Sequence, residues 1–293
     1  MKQELIREKI SVTCSDGVVL SGLLLLPENP KGVVQFNGGT ALRKEFYLPF
    51  LEYLSSHGYI TCLWDYRGSG GSAPASLKGC DYRFSDYGVK DMPAVKAYLT
   101  TRFPEFPLLL VTHSVGGQQI GFVENLSDVK GMVSFAVSTG YFGYMPWKFR
   151  LMSLYLFYMF TPLSIALCGY VAAKRFNYME DLPKNVAREW RSWCWKPDYF
   201  FNPRFSGKSV PAGTFREYTF PIHAYWVTDD PIANKHSVPA YWANVRSTQP
   251  ITHRQIRPSE FGKKKIGHMG FFKKAFKETL WKETVEKLEG FCA

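Results

Sequence analysis

The sequence predicts an α/β fold: a mostly parallel, eight-stranded sheet with helices on both faces and one inserted helical cap. Three observations predict it. Short apolar runs alternate with helical stretches over residues 1–137 and again over 216–293, the pattern of strands joined by crossover helices. The alternation lapses over 138–215, where aromatic residues crowd together. Between the two, Pro107-Leu108-Leu109-Leu110-Val111 runs straight into Thr112-His113-Ser114-Val115-Gly116-Gly117, which reads as a strand, a tight turn carrying serine, and a helix start with small residues.

The elements follow in order. Ile6 to Thr13 and Val18 to Leu26 are strand-like and joined by Ser15-Asp16-Gly17, a hairpin signal. Lys31 to Phe36 is a short apolar run ending at Asn37-Gly38-Gly39-Thr40. Phe46 to His57 places apolar residues at helical spacing, and Tyr59 to Trp64 reads as a buried strand. A helix is expected over Tyr87 to Thr101, the strand before Ser114 next, then a helix over Gln118 to Leu126 and a strand over Gly131 to Val137. After the cap, Pro221 to Val227 and Ile251 to Ile256 read as strands, with a helix near Val238 to Asn244 between them. The last helix sets Phe272, Phe276, Leu280, Trp281, Val285 and Leu288 among Lys and Glu, a core-facing amphipathic pattern.

Composition narrows the class. A chain of 293 residues with 46% hydrophobic content can hold one large domain with an insertion and a full core. The six cysteines show neither metal-ligand nor disulfide-framework spacing, and Cys62 fits a buried free thiol. The N-terminal Met1-Lys2-Gln3-Glu4-Leu5-Ile6-Arg7-Glu8 is charged and lacks a leader's apolar core, so a cytoplasmic location is expected. The net charge of +11 reads first as a solvated basic surface, and no nucleic-acid-binding motif accompanies it. Residues 151–173 carry no charge over 23 positions, long enough to span a bilayer. Pro162 and the scattered Ser and Thr favour instead an apolar helix pair covering a pocket, with peripheral membrane contact as the alternative.

Serine is a weak nucleophile without a base, a group that orients the base, and donors for the oxyanion. Ligands gather at the carboxyl ends of parallel strands, so each partner should follow a strand. Asp230, in Thr228-Asp229-Asp230-Pro231 after the strand 221–227, is the candidate acid, with Asp229 as runner-up. Among six histidines, His268 lies in Gly267-His268-Met269-Gly270, after the last strand and before the last helix. It gives the chain order Ser, Asp, His. His113 neighbours the serine but points away in such a turn. The backbone N–H groups of Val115 and Gly39 are the candidate oxyanion donors. A Ser-x-Gly-Gly turn alone fits an ordinary strand-to-helix connection equally well; the four features in consistent order are what carry weight.

These residues resemble the α/β-hydrolase superfamily over nearly the whole chain. The stretch Asp65-Tyr66-Arg67-Gly68-Ser69-Gly70-Gly71-Ser72 is similar to that superfamily's structural turn after the fourth strand. Within it the chain resembles predicted bacterial hydrolases of the serine aminopeptidase and monoglyceride-lipase branch, through Gly169-Tyr170, Leu182-Pro183 and Glu189-Trp190-Arg191-Ser192-Trp193-Cys194. Two residues depart from the pattern: Thr112 stands at the elbow's first glycine, and Asn37 replaces a histidine before the oxyanion glycine. The resemblance implies a Ser114–His268–Asp230 triad, needing neither cofactor nor metal, and the aromatic cap, expected to form an apolar pocket, fits a hydrophobic acyl ester best. An acyltransferase, an aminopeptidase anchored by Glu180, Asp181 or Glu189, and a non-catalytic binding protein are the alternatives.

Overall fold

The computed structural model describes residues 5–176 and 179–292. Eight strands form one sheet: β1 (Ile6–Thr13), β2 (Val19–Leu26), β3 (Gly32–Asn37), β4 (Tyr59–Trp64), β5 (Leu108–His113), β6 (Val129–Phe135), β7 (Ile222–Val227) and β8 (Ile251–Ile256). Their order is β1-β2-β4-β3-β5-β6-β7-β8. β1 pairs antiparallel with β2, and β2 antiparallel with β4; all other pairings are parallel. Every residue of β3, β4 and β5 is buried, as a central strand covered on both faces requires.

Successive strand residues point to opposite faces, and β3 shows what each face holds. Phe36 meets Phe50 of α1 (Leu48–Ser56) at 6.3 Å, and Phe50 meets Trp281, beside the C-terminal helix, at 5.5 Å. Gln35 turns the other way and donates to the Met92 carbonyl, at the start of α2 (Met92–Arg102), at 3.2 Å.

The helix expected over 118–126 is much shorter. α3 spans Val115–Gln118, and only a 3₁₀ turn, Ile120–Phe122, follows. The chain returning from the cap occupies the space: Thr214 donates its N–H to the Gly121 carbonyl at 2.7 Å, and a Cβ on Gly121 would lie 2.3 Å from the Phe215 ring.

Between β6 and β7 the chain is helical and aromatic. α4 (Trp147–Cys168) is one continuous helix of 22 residues, where a pair was expected. Its middle, Leu156–Phe160, is a π-turn directly before Thr161-Pro162. The wider turn accommodates the proline, which lacks the N–H and crowds the preceding carbonyl. α5 (Lys184–Trp193) is fastened to the loop before α2 by Phe84, stacked on Trp190 at 5.2 Å, and by Glu189, which accepts from Ser85 N–H at 2.8 Å. α6 (Ser237–Trp242) and α7 (Lys282–Cys292) complete the fold. Residues 1–4 of the charged N-terminal segment lie outside the described residues.

Candidate active site

The loops after β3, β5, β7 and β8 converge at one edge of the sheet. Ser114 directly follows β5 with φ 50° and ψ −117°, a left-handed conformation unusual for a side-chain-bearing residue. Several contacts hold it there. Its N–H donates to the Phe135 carbonyl at 2.9 Å, and its own carbonyl accepts from Gly117 and Gln118 N–H, each at 3.0 Å. The helix packs very close beneath: a Cβ on Gly116 would lie 2.0 Å from the Asn37 carbonyl oxygen. Thr112, in place of the usual glycine, fits because its hydroxyl turns to β6 and donates to Ser134 Oγ at 2.9 Å. Opposite it stands Gly117, where a Cβ would meet Thr112 Oγ1 at 2.7 Å.

Asp230 caps β7 and is buried. Its Oδ1 accepts the N–H groups of Ile232 (2.7 Å) and Ala233 (3.0 Å), and its Oδ2 stands 2.7 Å from His268 Nδ1. A carboxylate facing Nδ1 holds the proton on that nitrogen and leaves Nε2 as an acceptor. Asp229 contacts the same loop differently, accepting the N–H of Ile266 at 2.9 Å and of Gly267 at 3.1 Å. Asp230 is thus the aspartate that touches the imidazole, and Asp229 fixes the backbone that carries it.

Ser114, Val115, His268 and Gly39 line one cavity of about 400 Å³, within the usual range for small-molecule pockets. The rest of its wall is mainly apolar, including Phe149, Met152, Leu156 and Trp190 from the cap. No hydrogen bond joins Ser114 Oγ to His268 among the described residues; such contacts often tighten only once substrate binds. Val115 opens α3, so its N–H has no intrahelical acceptor.

Gly39 is arranged differently from the expectation. Its N–H is not free but donates to Tyr47 Oη at 2.8 Å. Thr40, the next residue, also lines the cavity.

The Tyr47 bond belongs to a buried chain that sequence reasoning missed. Tyr47 Oη lies 2.8 Å from His113 Nδ1, and His113 Nε2 lies 3.0 Å from the His268 carbonyl. A carbonyl only accepts, so His113 Nε2 carries the proton and Nδ1 receives the Tyr47 hydroxyl hydrogen. Tyr47 Oη then accepts from Gly39. Burial, with His268 nearby, pushes the His113 pKa well below its usual 6.5, so the ring is neutral. Nothing in the local sequence marks Tyr47, which lies eight residues from the glycine it binds.

Three cap acids are the candidate anchors for a substrate amino group. Glu189 is taken by Ser85 and by Arg83 at 2.9 Å, Glu180 pairs with Lys174 at 3.3 Å, and Asp181 accepts the Lys174 N–H at 2.9 Å. None of them lines the cavity.

Comparison with known proteins places this architecture. A sequence model of the serine aminopeptidase S33 family matches residues 28–171. An esterase from Pyrococcus furiosus has a similar structure, with TM-score 0.65 and 14% identity over 99% of this chain and 92% of that one. A highly thermostable carboxyl esterase from Bacillus coagulans, solved with glycerol, gives TM-score 0.64 and 12% identity over 99% and 100% of the two chains. A monoacylglycerol lipase from Paleococcus ferrophilus gives 0.57 and 14% over 98% and 99%. At these identities the likeness carries the fold alone. The search of curated proteins finds no match.

Proposed function

We propose that the chain is an α/β-hydrolase of the branch that the serine aminopeptidase model describes, and that it hydrolyses a carboxylic ester with a hydrophobic acyl group. The observation that carries this reading is the buried Asp230, 2.7 Å from His268, which opens with Ser114 onto one apolar cavity.

In this reading His268 Nε2 takes the Ser114 hydroxyl proton as Oγ attacks the ester carbonyl. The negative charge passes to the carbonyl oxygen and is held by the Val115 N–H and by the Gly39–Thr40 loop. Gly39 serves as a donor once its bond to Tyr47 opens; Thr40 is the donor beside it. Asp230 stabilises the imidazolium, which then protonates the departing alkoxide. Water, deprotonated by the same Nε2, cleaves the acyl-serine and releases the acid.

The cap favours an ester over a peptide with a free amino end. Such a peptide needs an acid facing the cavity, and Glu180, Asp181 and Glu189 are all engaged elsewhere. The structural relatives, two esterases and a monoacylglycerol lipase, agree with this choice.

Fluorophosphonate labelling read by intact mass tests the proposal. One adduct on the wild type, absent from Ser114→Ala, is expected, together with turnover of p-nitrophenyl esters that depends on acyl length. An unlabelled, folded wild type that also turns over no ester would overturn it.

A further inference from the structure

Helix α4 turns an apolar stripe outward. Its buried face carries Ser153, Phe157, Thr161 and Ser164. Its outer face carries Trp147, Leu151, Tyr155, Met159, Leu163 and Leu167, four residues apart and each more than half exposed, Leu167 at 77%. Three of the four buried positions carry hydroxyls while the most exposed ones are apolar, which departs from a helix that turns its apolar stripe to the core and its polar residues to water. A contiguous apolar patch of this kind marks an interaction surface.

We propose that this face lies on an anionic lipid surface and that an ester-bearing lipid enters the cavity from it. The docking stands on the helix; the entry of substrate rests on the ester-hydrolase reading above.

Charge points to the occupant. No Asp or Glu occurs between residues 129 and 179, while Lys148 and Arg150 begin the helix and Arg175 follows its end, next to Lys174, which pairs with Glu180. Lys148, Arg150 and Arg175 are exposed. Positive charges bracketing an apolar stripe suit acidic headgroups around acyl chains. They disfavour a second copy of the chain: with α4 against α4, parallel or antiparallel, basic ends meet basic ends.

Attachment settles the orientation. About 33 Å of helix could cross a bilayer, but α4 is held to the protein at residues 153, 157, 161 and 164 along its length. It therefore lies in the plane of the interface. Tyr158, half-covered by the Arg191 guanidinium 5.0 Å above its ring, and the exposed Trp195 that donates to its hydroxyl add the aromatic groups favoured at headgroup depth. Met152 and Tyr155 belong at once to the exposed face and to the cavity wall that Ser114 shares, so the mouth opens beside the lipid.

The test is flotation with phosphatidylcholine vesicles and with mixed phosphatidylcholine–phosphatidylglycerol vesicles, on the wild type and on Leu163→Asp/Leu167→Asp. Neither leucine lines the cavity. The wild type is expected to float with the anionic vesicles and to be released by about 1 M salt, where the screening length falls to roughly 3 Å. The variant is expected to lose at least tenfold in binding and in turnover of a vesicle-embedded ester, with turnover of a soluble p-nitrophenyl ester unchanged. Absence of wild-type flotation, equal flotation of wild type and variant, or a wild-type dimer that the variant dissolves would each overturn the docking. Binding that survives alkaline carbonate extraction would overturn the in-plane orientation. Lost turnover of both esters with flotation retained in the wild type would instead fault the hydrolase reading.

Discussion

The sharpest consequence of the site concerns a single atom. In Asp230→Asn one oxygen becomes an NH₂. Oδ1 of Asp230 accepts two backbone N–H groups, from Ile232 and Ala233, and Oδ2 faces His268 Nδ1 at 2.7 Å. The remaining oxygen must stay with the two amides, since reversing the side chain would converge three donors there. The NH₂ then points at Nδ1 and forces that nitrogen to accept. The histidine proton moves to Nε2, which can no longer take the serine proton. The same exchange in serine-protease triads lowers kcat about 10⁴-fold, or about 5 kcal/mol of barrier. The fold should barely notice, because both amides keep their acceptor; a loss of about 1 kcal/mol is expected. Ester turnover and fluorophosphonate labelling rate, with urea unfolding as the check on folding, measure it. Asp229→Asn is the control: it loosens the His268 loop and leaves the imidazole's partner, so less than a tenfold loss in kcat is expected. A folded Asp230→Asn within about tenfold of wild-type kcat would refute the argument.

Other outcomes follow from the same geometry. Tyr47→Phe leaves the buried Gly39 N–H and His113 Nδ1 unpaired; roughly 2 kcal/mol of stability should go in urea unfolding, with kcat reduced about tenfold and KM little changed. Gly116→Ala drives a Cβ to within 2.0 Å of the Asn37 carbonyl, and a shift of the urea midpoint equivalent to about 3 kcal/mol or more is expected. Stability should fall as pH drops below about 6.5. His223 is held neutral by burial with its pKa lowered to about 4, and His113 lies well below 6.5. The unfolded chain therefore binds protons that the native state refuses, and the contribution, complete above 6.5, is lost towards pH 4. Roughly 1–3 kcal/mol is at stake for His223, and His223→Gln should show a shallower decline between pH 7 and pH 5.

What the sequence disclosed depended on how local its causes were. Ile6–Thr13 and Tyr59–Trp64 coincide with observed strands because alternation and apolar runs report burial directly. Asp230 and His268 could be picked because parallel strands deliver their following loops to one edge of the sheet. The shortened helix after Ser114 could not, since Thr214 and Phe215, more than ninety residues on, take its place. Nor could the Tyr47 bond to Gly39, which exists only once α1 has packed beside β3. For α4, length and apolarity were plain in the sequence. Which side would be covered was not, because the protein buries the hydroxyls of Ser153, Thr161 and Ser164; that of Ser164, for example, donates to the Tyr170 carbonyl at 3.0 Å.

On the proposed mechanism, the buried chain from Gly39 to the His268 carbonyl also bears on charge during turnover. The rings of His113 and His268 are 5.0 Å apart. If both could be cations at once, their repulsion would be about 3 kcal/mol at an effective dielectric of 20, set against the step in which His268 receives a proton. Since one nitrogen of His113 must donate to a carbonyl and the other must accept from a phenol, the ring has no vacancy for a second proton. On the proposed mechanism it is an insulator: it shapes the backbone of the proposed base, conducts no proton to or from it, and leaves His268 alone to carry positive charge beside the serine.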